Sequence, residues 1–160
     1  MKRIFVIDQL QCSGCLFCAI SCSLHNEGYF NPRLARMNLV KQDWSGRDHP
    51  VFCEHCQKAP CLNACPSHAI LRKTKNDTVV IDATRCDGCG QCRIACSLGV
   101  IKLHPVTNKA IKCDLCNGHP QCVDSCPTNV LYFTTFDEFQ SIKQGNSAQR
   151  NDARGDVKNG

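Results

Sequence analysis

Cysteine is the residue type in this chain whose number and spacing indicate chemistry most clearly. The 160 residues include 16 cysteines, a density typical of disulfide-stapled domains or of proteins that bind metal ions and clusters. All of them fall into four groups of four. Group one is Cys12, Cys15, Cys18 and Cys22; group two is Cys53, Cys56, Cys61 and Cys65; group three is Cys86, Cys89, Cys92 and Cys96; group four is Cys113, Cys116, Cys122 and Cys126.

The spacing within each group is typical of loops that ligate iron–sulfur clusters. Groups one and three read C-x2-C-x2-C-x3-C, and groups two and four keep the first and last gaps while the middle gap widens. Groups two and four also end in Cys-Pro, at Cys65-Pro66 and Cys126-Pro127, as in bacterial ferredoxins. Three cysteines at this spacing bind corners of one cubane, and the fourth ligates a neighbouring cluster. Four groups therefore predict four [4Fe–4S] clusters.

Two other uses of cysteine compete less well. Structural zinc also uses C-x2-C, but usually as two separated pairs that close one tetrahedron. A disulfide framework requires an oxidising compartment, and the start Met1-Lys2-Arg3 is not followed by the hydrophobic stretch of a signal peptide. The longest apolar runs are also far shorter than a membrane span. We expect a cytoplasmic protein with no direct membrane insertion, unless it is exported together with a signal-bearing partner.

Composition and charge exclude several function classes. The hydrophobic fraction of 42% includes the cysteines, and aromatic residues make up only 6%. We therefore expect the clusters to replace much of the apolar core, and the chain without clusters to be largely unfolded. The formal net charge is +5, but the basic residues are scattered, which argues against nucleic-acid binding. With no catalytic triad, P-loop or Rossmann glycine pattern, the sequence predicts no catalytic residues and a non-enzymatic role.

The sequence between the groups indicates which of them pair. Between Cys65 and Cys86, short apolar runs flank the polar turn Lys75-Asn76-Asp77, which predicts a β-hairpin that joins groups two and three. Groups one and four then pair across this insert. The predicted ligand sets are Cys12, Cys15, Cys18 with Cys126; Cys22 with Cys113, Cys116, Cys122; Cys53, Cys56, Cys61 with Cys96; and Cys65 with Cys86, Cys89, Cys92. Sequential pairing, one with two and three with four, is the alternative, which the long segment between Cys22 and Cys53 disfavours.

The elements that would position these loops form an α+β fold of tandem two-cluster ferredoxin-like modules, one inserted within the other. The outer module comprises residues 1–49 and 105–135, the inner module residues 50–104, and a C-terminal helix and polar tail residues 136–160. Strands are expected at 4–8, 69–72, 79–82, 100–103 and 130–134, and helices of one to two turns should follow the third cysteine of each group, for example at 17–24 and 92–98. A capping box at residues 135–138 predicts a short helix that ends near Gly145, followed by a disordered tail.

Several stretches resemble the four-cluster electron-transfer subunits that accompany molybdenum and tungsten enzymes. The similar stretches are residues 53–66, 82–92 and 112–116 with 126–128. The opening, from Cys12-Ser13-Gly14-Cys15 to Asn31-Pro32-Arg33-Leu34-Ala35-Arg36, is similar to small ferredoxin-like subunits found with tungsten-dependent aldehyde oxidoreductases and their benzoyl-CoA reductase relatives. The resemblance implies a non-catalytic subunit that relays single electrons between a tungsten- or molybdenum-cofactor subunit, in the first place an aldehyde oxidoreductase, and a redox partner such as a flavin- or NAD-linked subunit.

Other assemblies stay open at this stage. The chain could serve a hydrogenase, a formate dehydrogenase or a benzoyl-CoA reductase complex, or act as a free-standing polyferredoxin. A linear row of clusters with exposed ends could also join copies of the chain into a longer row. A redox sensor is the rival from another class, but it would need an output module, for which only the C-terminal tail is available.

A few further residues lie close to the cysteines. His55 and His119 are interpreted as neighbours of the clusters or surface residues, since the cysteines already supply every ligand. The charged residues Glu54, Asp87 and Asp114 lie next to ligands and are either tuning or solvated groups. Trp44, in the polar segment before group two, is an interface anchor or a local plug.

Overall fold

The chain folds into short strands and helices with an α+β architecture. The structure, a computed structural model, describes residues 1–40, 49–74 and 77–155. Trp44 and two residues of the predicted turn, Lys75 and Asn76, lie outside the described residues. The strands are β1 (Arg3–Val6), β2 (Asn38–Val40), β3 (His49–Val51), β4 (Ile70–Arg72), β5 (Val79–Ile81), β6 (Lys102–Leu103), β7 (Ala110–Ile111) and β8 (Leu131–Thr134). The helices are α1 (Phe17–Glu27), α2 (Pro60–Asn63), α3 (Gln91–Ile94), α4 (Gln121–Asp124) and α5 (Phe136–Gly155).

Each described strand pairs antiparallel with one other strand. β1 pairs with β8, with Arg3 opposite Thr134, and the Ile7 amide continues the contact by donating to the Val130 carbonyl at 2.9 Å. The two ends of the cysteine-bearing region therefore lie side by side. The other three pairs, β2–β3, β4–β5 and β6–β7, connect successive cysteine groups along the chain. The predicted hairpin between groups two and three is β4–β5, which confirms that expectation.

The helices start where the backbone turns sharply after a cysteine pair. The residues that precede α1, α2 and α3 are Leu16, Ala59 and Gly90, and all three adopt left-handed backbone angles. This reversal places the third cysteine of each of these groups on the following helix. In group four, Cys122 likewise lies on α4, which follows Pro120. The prediction of a helix at the end of each loop is confirmed, but each helix begins one residue before the third cysteine and not after it.

The apolar interior consists of two clusters in which cysteines are members. The larger cluster joins β1, α1, β8 and α5 and contains Ile4, Met37, Phe52, Val130 and Phe139. The smaller cluster lies between β4, β5 and the loops of groups two and three, around Ile70, Val79 and Ile101. Cys96 contacts both clusters. Cysteines therefore make up part of both apolar clusters, as expected from the composition.

Several predicted boundaries differ from the structure. Helix α1 runs three residues beyond the predicted end, and α3 ends at Ile94 rather than at residue 98. The pair β2–β3 and strand β7 were not predicted, because two- and three-residue strands carry too little alternation to recognise. The prediction that the last helix ends near Gly145 is wrong, since α5 continues to Gly155. Gly145 lacks the positive φ of a helix-ending glycine, and no proline follows it. Among the described residues, no helix is both long enough and apolar enough to cross a bilayer.

Candidate metal centres

All sixteen cysteines lie within the described residues as free thiols. Three cavities are each lined by four of them, and we name these cavities sites A, B and C. Site A is lined by Cys12, Cys15, Cys18 and Cys126; site B by Cys22, Cys113, Cys116 and Cys122; site C by Cys53, Cys56, Cys61 and Cys96. The rest of each wall is largely apolar, with Val130 and Leu131 at site A, Phe52 and Leu115 at site B, and Val79 and Val100 at site C.

Site D is the name we give to the fourth predicted set, Cys65, Cys86, Cys89 and Cys92. Burial raises the pKa of the Cys92 thiol to about 11, and the nearby Cys86 and Cys65 thiols raise it further. These three sulfurs therefore lie close to one another. Cys89 is exposed, and its backbone amide donates to the Asp87 Oδ1 at 3.0 Å.

The buried thiols of the other sites have raised pKa values as well. Burial, followed by the charges of Cys12, Cys15 and Cys126, raises the pKa of Cys18 to about 12. Burial also raises the pKa of Cys113 to about 12 and that of Cys122 further, with Cys113, Cys22 and Cys116 adding to the shift at Cys122. Without a metal these thiols stay protonated at neutral pH. Because a metal centre binds thiolates, loading of the sites must release protons.

Neighbouring sites also interact across their boundaries. Cys18 of site A is close enough to Cys122 of site B to raise the pKa of the Cys122 thiol. Cys53 of site C acts in the same way on Cys113 of site B, and Cys61 of site C on Cys92 of site D. These effects link site A with site B, site B with site C, and site C with site D.

Solvent exposure of the cysteines differs between the four sites. Cys15 of site A and Cys89 of site D are exposed, while every other cysteine is buried or half-buried. Three of the four cysteines of site B are buried: Cys22, Cys113 and Cys122. Sites A and D are therefore the ones that reach the surface through a cysteine.

The residue before the second cysteine has a positive φ in all four loops. It is Gly14 at +65° and Gly88 at +79° in groups one and three. It is His55 at +48° and Leu115 at +62° in groups two and four. Both larger side chains are buried, at 2% and 3% exposure, and line sites C and B respectively.

Backbone and side-chain donors surround the sulfurs. Amides of Arg36, His55, Ala69 and Ala110 donate to the sulfurs of Cys22, Cys53, Cys65 and Cys86 at 3.2–3.4 Å. Such N–H···S bonds stabilise the negative charge of a thiolate-bound cluster. After the Cys-Pro pairs, Ser67 and Thr128 place hydroxyls 3.5 and 3.7 Å from the sulfurs of Cys65 and Cys126. At both cysteines desolvation raises the pKa, but the hydrogen bonds from these hydroxyls and from nearby amides outweigh it and lower the pKa overall.

The histidines beside the cysteines have different environments. His55 is buried, and its Nδ1 accepts the Val79 amide at 3.1 Å. Burial, followed by the positive charge of Lys112, lowers the pKa of His55 to about 3, so the ring is neutral. His119 is exposed, as its surface interpretation predicts.

The acidic residues next to the cysteines shape the loops. Asp87 and Asp114 each accept the amide two residues later, that of Cys89 and Cys116, at 3.0 Å. Asp114 also pairs with the Arg36 guanidinium at 3.3 Å. Glu54 is exposed to solvent. The two aspartates thus hold the loop turns, a role that the sequence analysis did not assign.

Buried cations near the sites were missed by the sequence analysis. The Lys112 ammonium is buried and donates to the carbonyls of Val79 and Cys113 at 2.5 and 2.9 Å. Lys102 donates to the carbonyls of Ala35 and Met37 at 2.8 and 2.7 Å, and burial lowers its pKa. The position of Lys112 directly before Cys113 is the signal that could have drawn attention to it.

The donor set fits [4Fe–4S] clusters. Each of sites A to C presents four sulfurs around an apolar cavity, and amides donate to sulfurs at sites B, C and D. The arrangement can hold and insulate four one-electron centres.

Comparisons with known proteins agree with this chemistry. The family model described as "4Fe-4S dicluster domain" matches residues 47–136. The polyferredoxin-like subunit of the aliphatic sulfonate oxidoreductase of Pyrococcus furiosus is 36% identical over 126 residues, which cover 78% of this chain and 72% of that protein. The thiosulfate reductase electron transfer subunit PhsB of Salmonella typhi is 34% identical over 151 residues, which cover 86% and 78% of the two chains.

A solved structure is similar at a greater distance. A chain of the active site complex BamBC of benzoyl coenzyme A reductase matches at 21% identity and a TM-score of 0.46, over 98% of both chains. That likeness is too distant to support a functional argument. The family match covers more than half of the chain, and both relatives are named as redox subunits rather than as catalytic ones. The chain therefore belongs to the 4Fe-4S dicluster domain family and is a non-catalytic, iron–sulfur electron-transfer subunit that carries four [4Fe–4S] clusters.

Proposed function

We propose that this subunit relays single electrons along a row of four [4Fe–4S] clusters between a catalytic metal subunit and a second redox partner. When bound, a [4Fe–4S] cluster accepts and releases one electron at a time. The observation that carries the proposal is that Cys15 of site A and Cys89 of site D are exposed, while the other cysteines are buried or half-buried. The pKa effects between thiols of A and B, of B and C, and of C and D support the order A, B, C, D. A relay needs two surface-accessible ends and an insulated middle.

The proposed ligand sets are those of the sequence analysis, one set per site. The cavities at A, B and C are each lined by the four cysteines of one predicted set, which supports the nested pairing over the sequential one. The β1–β8 pair supports it too, because it brings the start of group one beside the end of group four. The corresponding domain division is an outer module of residues 1–49 and 105–135 around an inner module of residues 50–104, with residues 136–160 as a C-terminal extension.

The catalytic partner in this proposal holds a tungsten or molybdenum cofactor and is an aldehyde oxidoreductase in the first place. The resemblance of residues 12–36 to subunits of tungsten enzymes supports it. The Pyrococcus furiosus relative is named for an aliphatic sulfonate oxidoreductase, so a sulfonate is a second substrate class to test. The other partner is a flavin- or NAD-linked subunit, and the compartment is the cytoplasm.

Co-purification from the native host tests the partner. We expect a stable complex whose metal analysis gives about 16 iron atoms per copy of this chain, together with tungsten or molybdenum. A complex without either metal would overturn the tungsten or molybdenum assignment. A free monomer in native mass spectrometry would overturn the complex in favour of a free-standing carrier.

Two matched variants test the direction of the row. With the complex in hand, Cys15→Ala and Cys89→Ala remove an exposed ligand at opposite ends. We expect each to slow electron transfer with a different partner, one with the catalytic subunit and the other with the second redox subunit. If both variants slowed transfer with the same partner and neither affected the other, the linear order would be wrong. Light scattering of the cluster-loaded chain at increasing protein concentration tests self-association into a longer row. A particle mass that grows with concentration would support self-association, and a constant mass would contradict it.

A further inference from the structure

His55 carries a buried ring nitrogen that lacks a hydrogen-bond partner. The residue is 2% exposed and lines site C together with Cys53, Cys56, Cys61 and Cys96. Because Nδ1 accepts the Val79 amide, the proton of the neutral ring is on Nε2. In the described part of the chain, Nε2 has no hydrogen-bond partner. A buried N–H without an acceptor is costly, so such a group calls for a partner that binds there.

The loop of site B provides an internal comparison for this residue. Leu115 occupies the position in group four that His55 occupies in group two, directly before the second cysteine. Both residues have left-handed backbone angles, both are almost fully buried, and each lines its own cavity. An apolar side chain is therefore sufficient for packing at this position. Histidine adds two polar functions: its Nδ1 accepts the Val79 amide, and its Nε2–H is a donor that has no acceptor within the described part of the chain.

We propose that His55 donates its Nε2–H to a sulfur of the [4Fe–4S] cluster at site C and thereby raises the reduction potential of that cluster. This inference rests on the ligand set proposed for site C. Hydrogen bonds to cluster sulfurs favour the reduced state, which carries one more negative charge than the oxidised state. His55 does not bind iron in this role, because the four cysteines supply the ligands, and it neither gains nor loses a proton.

The electrostatic surroundings of site C reinforce the effect of this hydrogen bond. The buried Lys112 ammonium lies in the wall of the same cavity, fixed by the carbonyls of Val79 and Cys113. Val79 thus fixes both groups, the imidazole through its amide and the ammonium through its carbonyl. Lys112 also acts on Cys113 of site B, so it does not distinguish the two interior sites. His55 is the group that does, and it favours the electron at C over B.

The experiment compares His55→Leu with His119→Leu in the full, anaerobically loaded chain. The first variant reproduces the residue found at site B, and the second removes the exposed histidine of the group-four loop. Redox titration followed by electron paramagnetic resonance should show one cluster of four with an at least tenfold lower ratio of reduced to oxidised form at a given applied potential. For a one-electron couple this is a shift of about 59 mV. The same cluster should lose one exchangeable proton coupling in electron–nuclear double resonance, while His119→Leu changes neither quantity.

The result that would overturn the inference is a His55→Leu protein with full iron content and four unchanged potentials. If His55→Leu fails to bind its full iron, Leu115→His decides instead. That variant should raise the reduction potential of one other cluster, so that its ratio of reduced to oxidised form rises about tenfold at a given applied potential. An unchanged potential of that cluster would refute the proposal. The ligand set is tested separately, because Cys53→Ser and Cys96→Ser must perturb the same resonance signal. If they perturbed two different signals, the proposed arrangement at site C would fail, whatever the effect of His55→Leu.

Discussion

The loops that carry the exposed cysteines of sites A and D and the corresponding loops of sites C and B share a positive φ before the second cysteine but differ in the residue at that position. Before the second cysteine, groups one and three have Gly14 and Gly88, and the cysteine that follows is exposed. Groups two and four have His55 and Leu115, whose side chains are buried, and the following cysteine is half-buried. The positive φ that the loop requires is therefore compatible with glycine or with a large side chain that covers the site. Glycine at this position marks the sites that reach the surface.

This difference separates two tasks of an electron-transfer protein. An exposed terminal site allows close approach of a partner, which electron transfer between proteins requires. A covered interior site excludes water and brings protein donors to the sulfurs, which sets the potential of a cluster. The amides and hydroxyls at the sulfurs serve all four sites, whereas the imidazole of His55 is particular to site C.

The largest expected effect comes from removing the clusters altogether, because both kinds of loop depend on them. The apolar clusters are small and end at cysteine sulfurs, so little burial remains without iron and sulfide. We expect the cluster-free chain to lose most of its helical and strand signal in circular dichroism and to show no cooperative thermal transition. A cooperative transition in the cluster-free chain would show that the protein alone specifies the fold.

Single-cysteine variants should distinguish the interior from the ends. Cys122→Ala removes a buried ligand of site B, and we expect about 12 iron atoms per chain, since the whole cluster is lost. Cys15→Ala removes an exposed ligand of site A, and we expect about 15, because a three-iron cluster can persist on the remaining ligands. Iron analysis and resonance spectra measure both. Equal iron losses in the two variants would show that loss of a buried ligand and loss of an exposed ligand have the same effect on the cluster.

The loop of group three allows a direct test of the glycine requirement, because it contains two glycines with positive φ. Gly88 and Gly90 have nearly equal φ values of +79° and +76°, but a Cβ at Gly88 would collide with the Asn108 carbonyl, whereas one at Gly90 would lie 3.8 Å from Leu103 Cδ1. Gly90→Ala should cost about 1 kcal/mol for the left-handed backbone, and Gly88→Ala about 3 kcal/mol once the collision is included.

Thermal midpoints of the loaded protein measure this difference. At about 3 °C per kcal/mol for a chain of this size, Gly88→Ala should lower the midpoint by about 9 °C and Gly90→Ala by about 3 °C. Equal shifts would mean that the loop around Asn108 moves away from the new Cβ without a measurable loss of stability. Glycine would then be required at position 88 only for its backbone angle, and not for the close approach of the chain segment around Asn108.

Much of the site was predictable because the cluster ligands are cysteines that recur at fixed, short spacings in the sequence. The four groups, the hairpin between groups two and three, and the capping box at Thr135 follow from short sequence windows. The burial of Lys112 and the unpartnered nitrogen of His55 depend on contacts with Val79, which lies more than twenty residues from either. Strands β2, β3 and β7 are too short to leave a periodic pattern. The end of α5 was missed because a single glycine does not end a helix unless it adopts a left-handed conformation.

The smallest expected effect concerns α5, which carries no cysteine and is held at its start by side chains instead. Glu138 accepts from the Thr134 hydroxyl at 2.5 Å and from the Thr135 amide at 3.0 Å, and these bonds, in that order, lower its pKa to about 2. A carboxylate whose pKa is lower in the folded state stabilises that state at any pH above its unfolded value of about 4.3, and the stabilisation disappears as the pH falls towards 2.

Hydrogen exchange in the first turn of α5 tests this assignment. Glu138→Gln removes the charge, so at pH 6 we expect the variant to exchange modestly faster than the parent, and by pH 3 the two should approach each other. The exposed Asp137, whose side chain has no part in the cap, provides the control variant Asp137→Asn, for which little pH-dependent difference is expected. A difference for Glu138→Gln that stayed constant between pH 6 and pH 3 would mean that packing of Phe139 on Phe5, and not the charged cap, holds this end of the helix.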